Sequence, residues 1–349
     1  MIGPRPPGDE APPSTRRAFA LRRVVVAVAV AVAGCGSPAP AARPGPPPIP
    51  LHLEPACDLA PSAGLSLLVE AKPRAIAQVP DLIPAIALVL PEEHLQAFAT
   101  AHGGVDLRQI KDLCVARYGE TTLSIARVPL DPEKVEAAFE ARATGTVTRT
   151  VLAPNPRVLR MATEVEREPR RLVIFGHDAV VLEQGAPGRL RAAEAFAFGK
   201  LKKSVPALAG AALRDASEAL GDRAAVRVFV PGPFEGETAA GLGGLLRGAT
   251  AAAASAAWAG TGSAIAVRVV LTGAWGEDAG AAAERLGAAA HVLAESPIGH
   301  LFGLHRPVRA PSVHVERDAL ILDATIDGAA LARGIHDAVD AEVADIMRR

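Results

Sequence analysis

Aromatic side chains are scarce in this chain: one Tyr, two Trp and nine Phe among 349 residues. Single-stranded nucleic acid is held on stacked aromatic platforms and duplexes by clustered cations. Neither is available, because 37 Lys and Arg stand against 38 Asp and Glu, a formal charge of −1. Nucleic-acid partners are therefore not expected. Cysteine is limited to Cys35, Cys57 and Cys114. The uninterrupted Val and Ala run from Val24 to Ala33 is only ten residues long, too short for a bilayer span, which takes about 20. What remains is a globular composition, 50% apolar and 21% charged, at a length that suits two domains or one large one.

The start of the chain reads as an address. Arg16, Arg17, Arg22 and Arg23 precede the Val/Ala run, which ends in Val32-Ala33-Gly34-Cys35; this is the layout of a signal peptide over residues 1–34. The Val-Ala-Gly-Cys sequence resembles the lipobox of bacterial lipoproteins. That resemblance implies that Cys35 is acylated and becomes the mature N-terminus, with the membrane as a partner through the anchor. Two or three acyl chains hold stably where one holds marginally, at about 0.8 kcal/mol per buried methylene. Thr15-Arg16-Arg17-Ala18-Phe19 is similar to a twin-arginine export motif, with general secretion as the alternative. Gly36 stands where lipoproteins retained at the inner membrane often carry Asp, which implies the outer membrane, facing the periplasm. Residues 36–50 contain seven Pro and read as an extended tether. Removal of residues 1–34 leaves 32 basic and 36 acidic residues, a charge of −4, so the body itself does not seek anionic lipid.

Two cysteines, Cys57 and Cys114, remain beside Cys35. A pair in an oxidising compartment is expected to form a disulfide; two buried thiols are the alternative, and no histidine spacing accompanies them for a metal site.

The body, residues 51–349, reads as an α+β fold of two similar halves, 51–200 and 201–349, with mostly antiparallel sheets packed by Ala-rich helices. In the first, Leu65–Ala71, Leu113–Tyr118, Thr121–Val128 and four further short runs from Val147 to Glu183 alternate as strands. Gly119-Glu120 is a hairpin signal, and Asp131-Pro132 opens a helix as N-cap and first helical residue. In the second, strands are expected at Ala225–Val230, Ala264–Thr272, Val313–Glu316 and Leu320–Ile326. Helices are expected over Gly243–Ala257, from about Glu277 to Ala294, and from Asp327 to Ile346. A helix from Pro206 to Leu220 would join the halves. His177-Asp178-Ala179-Val180-Val181-Leu182 and Arg317-Asp318-Ala319-Leu320-Ile321-Leu322 correspond: each is a turn followed by an apolar strand and then an Ala-rich helix. This suggests a diverged duplication. Residues 239–260 carry one charge, Arg247, yet Ala and Gly partition too weakly for a membrane span, so a packed helix is expected there.

No catalytic motif is present. Gly241-Leu242-Gly243-Gly244 lacks phosphate-loop spacing and its Lys; Gly262-Ser263-Ala264 lacks the second Gly of a nucleophile elbow. His300/His305 and His94/His102 do not have zinc-helix spacing. Glu164, Glu166 and Glu168 read as a solvated hairpin end. No cofactor, no metal and no enzymatic activity are expected. A binding or assembly role for an envelope protein partner is the first expectation; a carrier or sensor of an apolar small ligand is the alternative, and an unrecognised hydrolase the second. For apolar binding the candidate residues are Leu82, Ile83 and Ile86, in the stretch broken by Pro84, and Phe234 in the Pro-Gly-Pro-Phe corner, which follow the first strand of each half and would line a shared cleft.

Overall fold

The structure, a computed structural model, describes residues 47–200 and 204–346. The expected signal peptide, Cys35 and the first part of the expected tether lie outside the described residues.

Twelve strands form one sheet. They are β1 Leu67–Ala71, β2 Asp112–Tyr118, β3 Thr121–Arg127, β4 Thr148–Pro154, β5 Arg157–Val165, β6 Glu168–Phe175, β7 Ala179–Gln184, β8 Val226–Pro231, β9 Ala249–Trp258, β10 Ala264–Gly273, β11 Arg309–Glu316 and β12 Ala319–Asp327. The helices are α1 Pro73–Ala77, α2 Ile83–Val89, α3 Glu92–Ala101, α4 Pro132–Ala141, α5 Arg189–Ala197, α6 Ala211–Leu220, α7 Gly236–Ala239, α8 Ala279–Glu295, α9 Pro297–Leu301 and α10 Gly328–Ile346. The fold class is thus α+β, with every strand pair antiparallel. Separate sheets for the two halves, however, are replaced by one continuous sheet in the order β11-β12-β10-β9-β8-β1-β2-β3-β7-β6-β5-β4.

The halves meet where β1 pairs with β8. Outward from that seam the order is β1-β2-β3-β7-β6 on one side and β8-β9-β10-β12-β11 on the other, so the same topology is laid down twice and β4 and β5 extend the first copy. The strands after Asp178 and Asp318, β7 and β12, hold equivalent places beside β3 and β10. Exposed first strands would pair freely with other chains; joined to each other, β1 and β8 satisfy one another's backbone groups. Asp131 caps α4 by accepting from the N–H of Glu133 and Lys134, with Pro132 at the first helical position.

The expectation of a helix over Gly243–Ala257 fails. Ala249–Trp258 is strand β9, paired along its length with β8 and β10, and only a 3-10 segment, Leu242–Gly248, precedes it. Ala favours helix locally, but Gly243 and Gly244 adopt φ of 68° and 83°, which ends any α-helix before the Ala run. As a central strand the run gains two ladders of hydrogen bonds, and its short side chains let α6 lie close over β8, β9 and β10. Tertiary context overrides propensity here. Pro206–Leu220 is likewise more than a joint: the helix proper is α6, and its Leu213, Ala216 and Leu220 are part of the core.

One face of the sheet is a continuous core. Leu68, Cys114, Ile125, Phe175, Phe229 and Ile321 are buried there under α5, α6 and residues 53–60. The other face carries two separate clusters: Phe139 of α4 with Met161 and Ile174 in the first half, and Leu286 of α8 with Leu271 and Leu320 in the second. Between them Val115, Val69, Val228 and Ala254, opposite one another in register, are only part buried. The last helix, α10, departs from the repeat. Where α5 folds back over the first half, α10 packs against α2 of the other half. Its contact with α9 is close, since a Cβ at Gly334 would meet the Leu301 backbone oxygen at 2.2 Å.

Candidate functional site: an apolar groove

The chain makes its groove at the sheet end where β1 and β12 finish and β8 and β10 begin. Three prolines shape one wall. Pro73 opens α1, Pro80 opens a 3-10 turn at Pro80–Leu82, and Pro84 lies in the first turn of α2. Pro84 thus starts a helix instead of breaking one, since its missing N–H falls where no intrahelical acceptor exists. The wall turns Ile76, Leu82, Ile86 and Val89 inward. Opposite, Leu331, Ala332 and Ile335 of α10 line the groove, with Ile265 of β10 beside them; the volume is about 360 Å³, within the range typical of ligand sites, about 300–1,000 Å³.

Of the residues lining it, Arg108 alone is charged, and it is already engaged. Its Nη1 donates to Glu92 at 2.8 Å and its Nε to Asp106 at 3.1 Å, and hydrogen bonding from Arg108 holds the Asp106 carboxyl below its ordinary range. The rim therefore offers no spare cation for a carboxylate or phosphate. The groove suits a hydrocarbon portion or a neutral ligand. Two larger concavities, about 520 and 440 Å³, flank α6 on the other face, lined by Asp215, Glu218 and Asp318 in one and Arg223, Arg268 and Asp323 in the other. Their charged linings distinguish them from the apolar groove.

The structure brings together some of the residues singled out from sequence. Leu82 and Ile86 line the groove. Ile83 does not; it points outward at 53% exposure. Phe234 is part buried beyond β8 and is not among the groove residues; the partner of α2 is α10. The groove thus spans both halves, but through a helix whose apolar face gave no sign of its partner. Cys57 and Cys114 are joined, with Cα atoms 5.2 Å apart. The bridge ties the 3-10 turn Ala56–Leu59 to central strand β2, and the Tyr118 hydroxyl donates to the Pro61 carbonyl at 2.7 Å.

Several chemistry-bearing side chains elsewhere have structural partners, although the buried His305 Nδ1 has no hydrogen-bond partner. Ser263 Oγ donates to Asp327 at 2.6 Å, and Asp327 also accepts from the Ala329 N–H at 2.9 Å, capping α10; the Ser263 hydrogen bond holds this carboxyl below its ordinary range. Buried Glu183 accepts from the N–H groups of Gly188, Arg189 and Leu190 at the start of α5 and pairs with Arg171. Glu166 and Arg167 form the two-residue β5–β6 turn with φ of 52° and 68°. Among the described residues no group of three or more His, Cys, Asp or Glu is placed to hold a metal ion, and no described helix is long and apolar enough to cross a membrane.

No protein-family model and no curated protein matches the chain. Among solved structures it is similar to crystal form III of TP0453, at 12% identity over 80% of this chain and 97% of that one, with a TM-score of 0.46. It is similar also to crystal form I, at 13% identity over 82% and 98% of the two chains with a TM-score of 0.44, and to crystal form IV, at 11% over 79% and 96% with a TM-score of 0.43.

Proposed function

We propose that this chain is a lipid-anchored component of the bacterial cell envelope that binds an apolar ligand, without catalysis, in the groove between α2 and α10. The groove carries the reading: a volume of about 360 Å³ walled by aliphatic side chains from both halves, with one rim arginine neutralised by two carboxylates. Each seated methylene contributes about 0.8 kcal/mol, so a chain of about ten offsets the association cost of a weak complex. The Val32-Ala33-Gly34-Cys35 sequence supports acylation at Cys35 and the tether; Gly36 supports the outer membrane, facing the periplasm.

The test is extraction. Full-length protein isolated from membranes in a mild detergent is desalted, and its bound small molecules are identified by mass spectrometry. The reading expects a neutral or zwitterionic lipid, or another long hydrocarbon, near one per chain. Empty protein that also fails to take up such lipid would contradict the ligand. Turnover of an esterase, phosphatase, peptidase or glycosidase substrate, lost on replacing one polar side chain, would contradict the non-catalytic part.

A further inference from the structure

We infer that one end of the sheet, the end from which the tether departs, rests on the membrane surface with its apolar side chains in the lipid interface. This rests on the proposal that Cys35 is the lipid anchor.

The sheet has two ends, and exposed large apolar side chains are distributed unequally between them. β9 and β12 finish, and β10 and β11 begin, at the end that carries the groove. There Trp258 is 40% exposed, Ile298 58%, Leu301 40% and Val308 60%; at the same end Ile83 of α2 is 53% and Leu90, just after α2, 42% exposed. The short α9 is fixed in place by Ser296, which caps it through the Gly299 N–H, and by the close approach at Gly334. Val315 lies toward the opposite end, Val205 beside the Pro61–Pro206 bridge, and Val151 on edge-strand β4; Val292 and Leu293 are in the last turns of α8, which leads into α9, Val339 is on α10, and Ile49 lies beside the β4–β5 turn.

Large exposed apolar clusters mark interaction surfaces, and the chain itself indicates which surface meets this one. The Ile49 N–H donates to the carbonyl of Asn155 in the β4–β5 turn, at this same end of the sheet. Residue 47 stands twelve residues after Cys35, and a chain of that length spans at most about 40 Å, so an acylated Cys35 would keep the body within about that distance of the bilayer. That length alone permits either end to touch; the apolar side chains select this one. Charge does not oppose it, since a body near −4 meets a zwitterionic surface without repulsion.

The two tryptophans supply the test. Trp258 is in the proposed interface; Trp275 follows β10 at the other end, against Gly248 and Gly273. Full-length acylated protein is placed in phosphatidylcholine vesicles carrying brominated acyl chains. The inference expects severalfold quenching of tryptophan emission, lost in Trp258→Phe and in Ile298→Glu combined with Leu301→Glu, with vesicle co-sedimentation intact in all. Quenching retained in Trp258→Phe, or no quenching of protein that co-sediments, would overturn it. Acyl labelling of Cys35 and its loss in Cys35→Ser report separately on the anchor: an unlabelled chain sinks the lipoprotein reading, while Trp258 quenching still decides the docked end.

Discussion

Arg227 of β8 lies opposite Glu70 of β1 at the seam between the two halves, with its Nη2 2.5 Å and its Nε 3.0 Å from Glu70 Oε2. Both side chains are about nine-tenths buried. Arg227 Nη1 also donates to Asp222, Ser217 and the Gly221 carbonyl, so the guanidinium binds the loop before β8 to the first half. Arg227→Ala leaves Glu70 charged, buried and without its ion-pair partner, which costs about 3–5 kcal/mol, whereas Glu70→Ala leaves Arg227 its bonds to Asp222, Ser217 and the Gly221 carbonyl. Arg227→Ala should therefore lower the urea midpoint sharply and Glu70→Ala less so, and Glu70→Leu combined with Arg227→Met should recover most of the Arg227→Ala loss. Single variants that unfold like the parent protein would contradict this.

The Cys57–Cys114 bridge closes a loop with 57 residues of sequence separation, which on the chain-entropy model stabilises by about 4 kcal/mol. Both sulfurs are in the continuous core. Reduction, or Cys57→Ser with Cys114→Ser, should lower the denaturation midpoint and raise hydrogen exchange first over residues 51–60. An unchanged midpoint would contradict the prediction.

The surroundings of His102 favour its neutral form. Its Nδ1–H donates to the Phe98 carbonyl at 2.8 Å and its Nε2 accepts from Arg142 at 2.8 Å. Burial foremost, with the charges of Arg142 and Arg170, lowers its pKa from the ordinary 6.5. A histidine whose folded pKa is depressed contributes stability above the unfolded pKa and loses it as pH falls. The denaturation midpoint should therefore decline as pH falls below about 6.5, and His102→Asn should flatten that decline. Identical slopes in the two proteins would refute this role.

Glu166 and Arg167 turn the β5–β6 hairpin with positive φ at both positions, where an L side chain costs about 1 kcal/mol each. Asn and Gly adopt that geometry freely. Glu166→Asn with Arg167→Gly should raise the melting temperature by several degrees, and calorimetry showing a lower one would contradict it.

Much of this fold was legible where local chemistry dictates structure. Asp131-Pro132 starts a helix by capping and fixed φ, Gly119-Glu120 reverses a chain, and the repeated Asp-Ala-apolar run marks two strands that occupy equivalent places. Legibility ended where tertiary contacts decide. The Ala run of β9 favours helix by itself and becomes a strand only between β8 and β10. The groove is half visible in the sequence: Leu82 and Ile86 belong to it, but nothing in the apolar periodicity of 328–346 says that this helix crosses to the other half, and the symmetry that would bring Phe234 to the groove is one that α10 breaks. Ile83 falls off the i, i+4, i+7 stripe formed by Leu82, Ile86 and Val89, and its side chain is exposed.

The account depends most on the groove. Titration of the full-length protein with N-phenyl-1-naphthylamine, a neutral apolar fluorophore, tests it directly. The half-buried Ile86 forms part of one wall, so Ile86→Trp should fill the cavity without forcing the core. The account predicts saturable binding near one probe per chain, competed by long-chain neutral lipid, with affinity at least tenfold weaker in a folded Ile86→Trp protein. Unsaturable binding, or equal affinity in the two proteins, would contradict it.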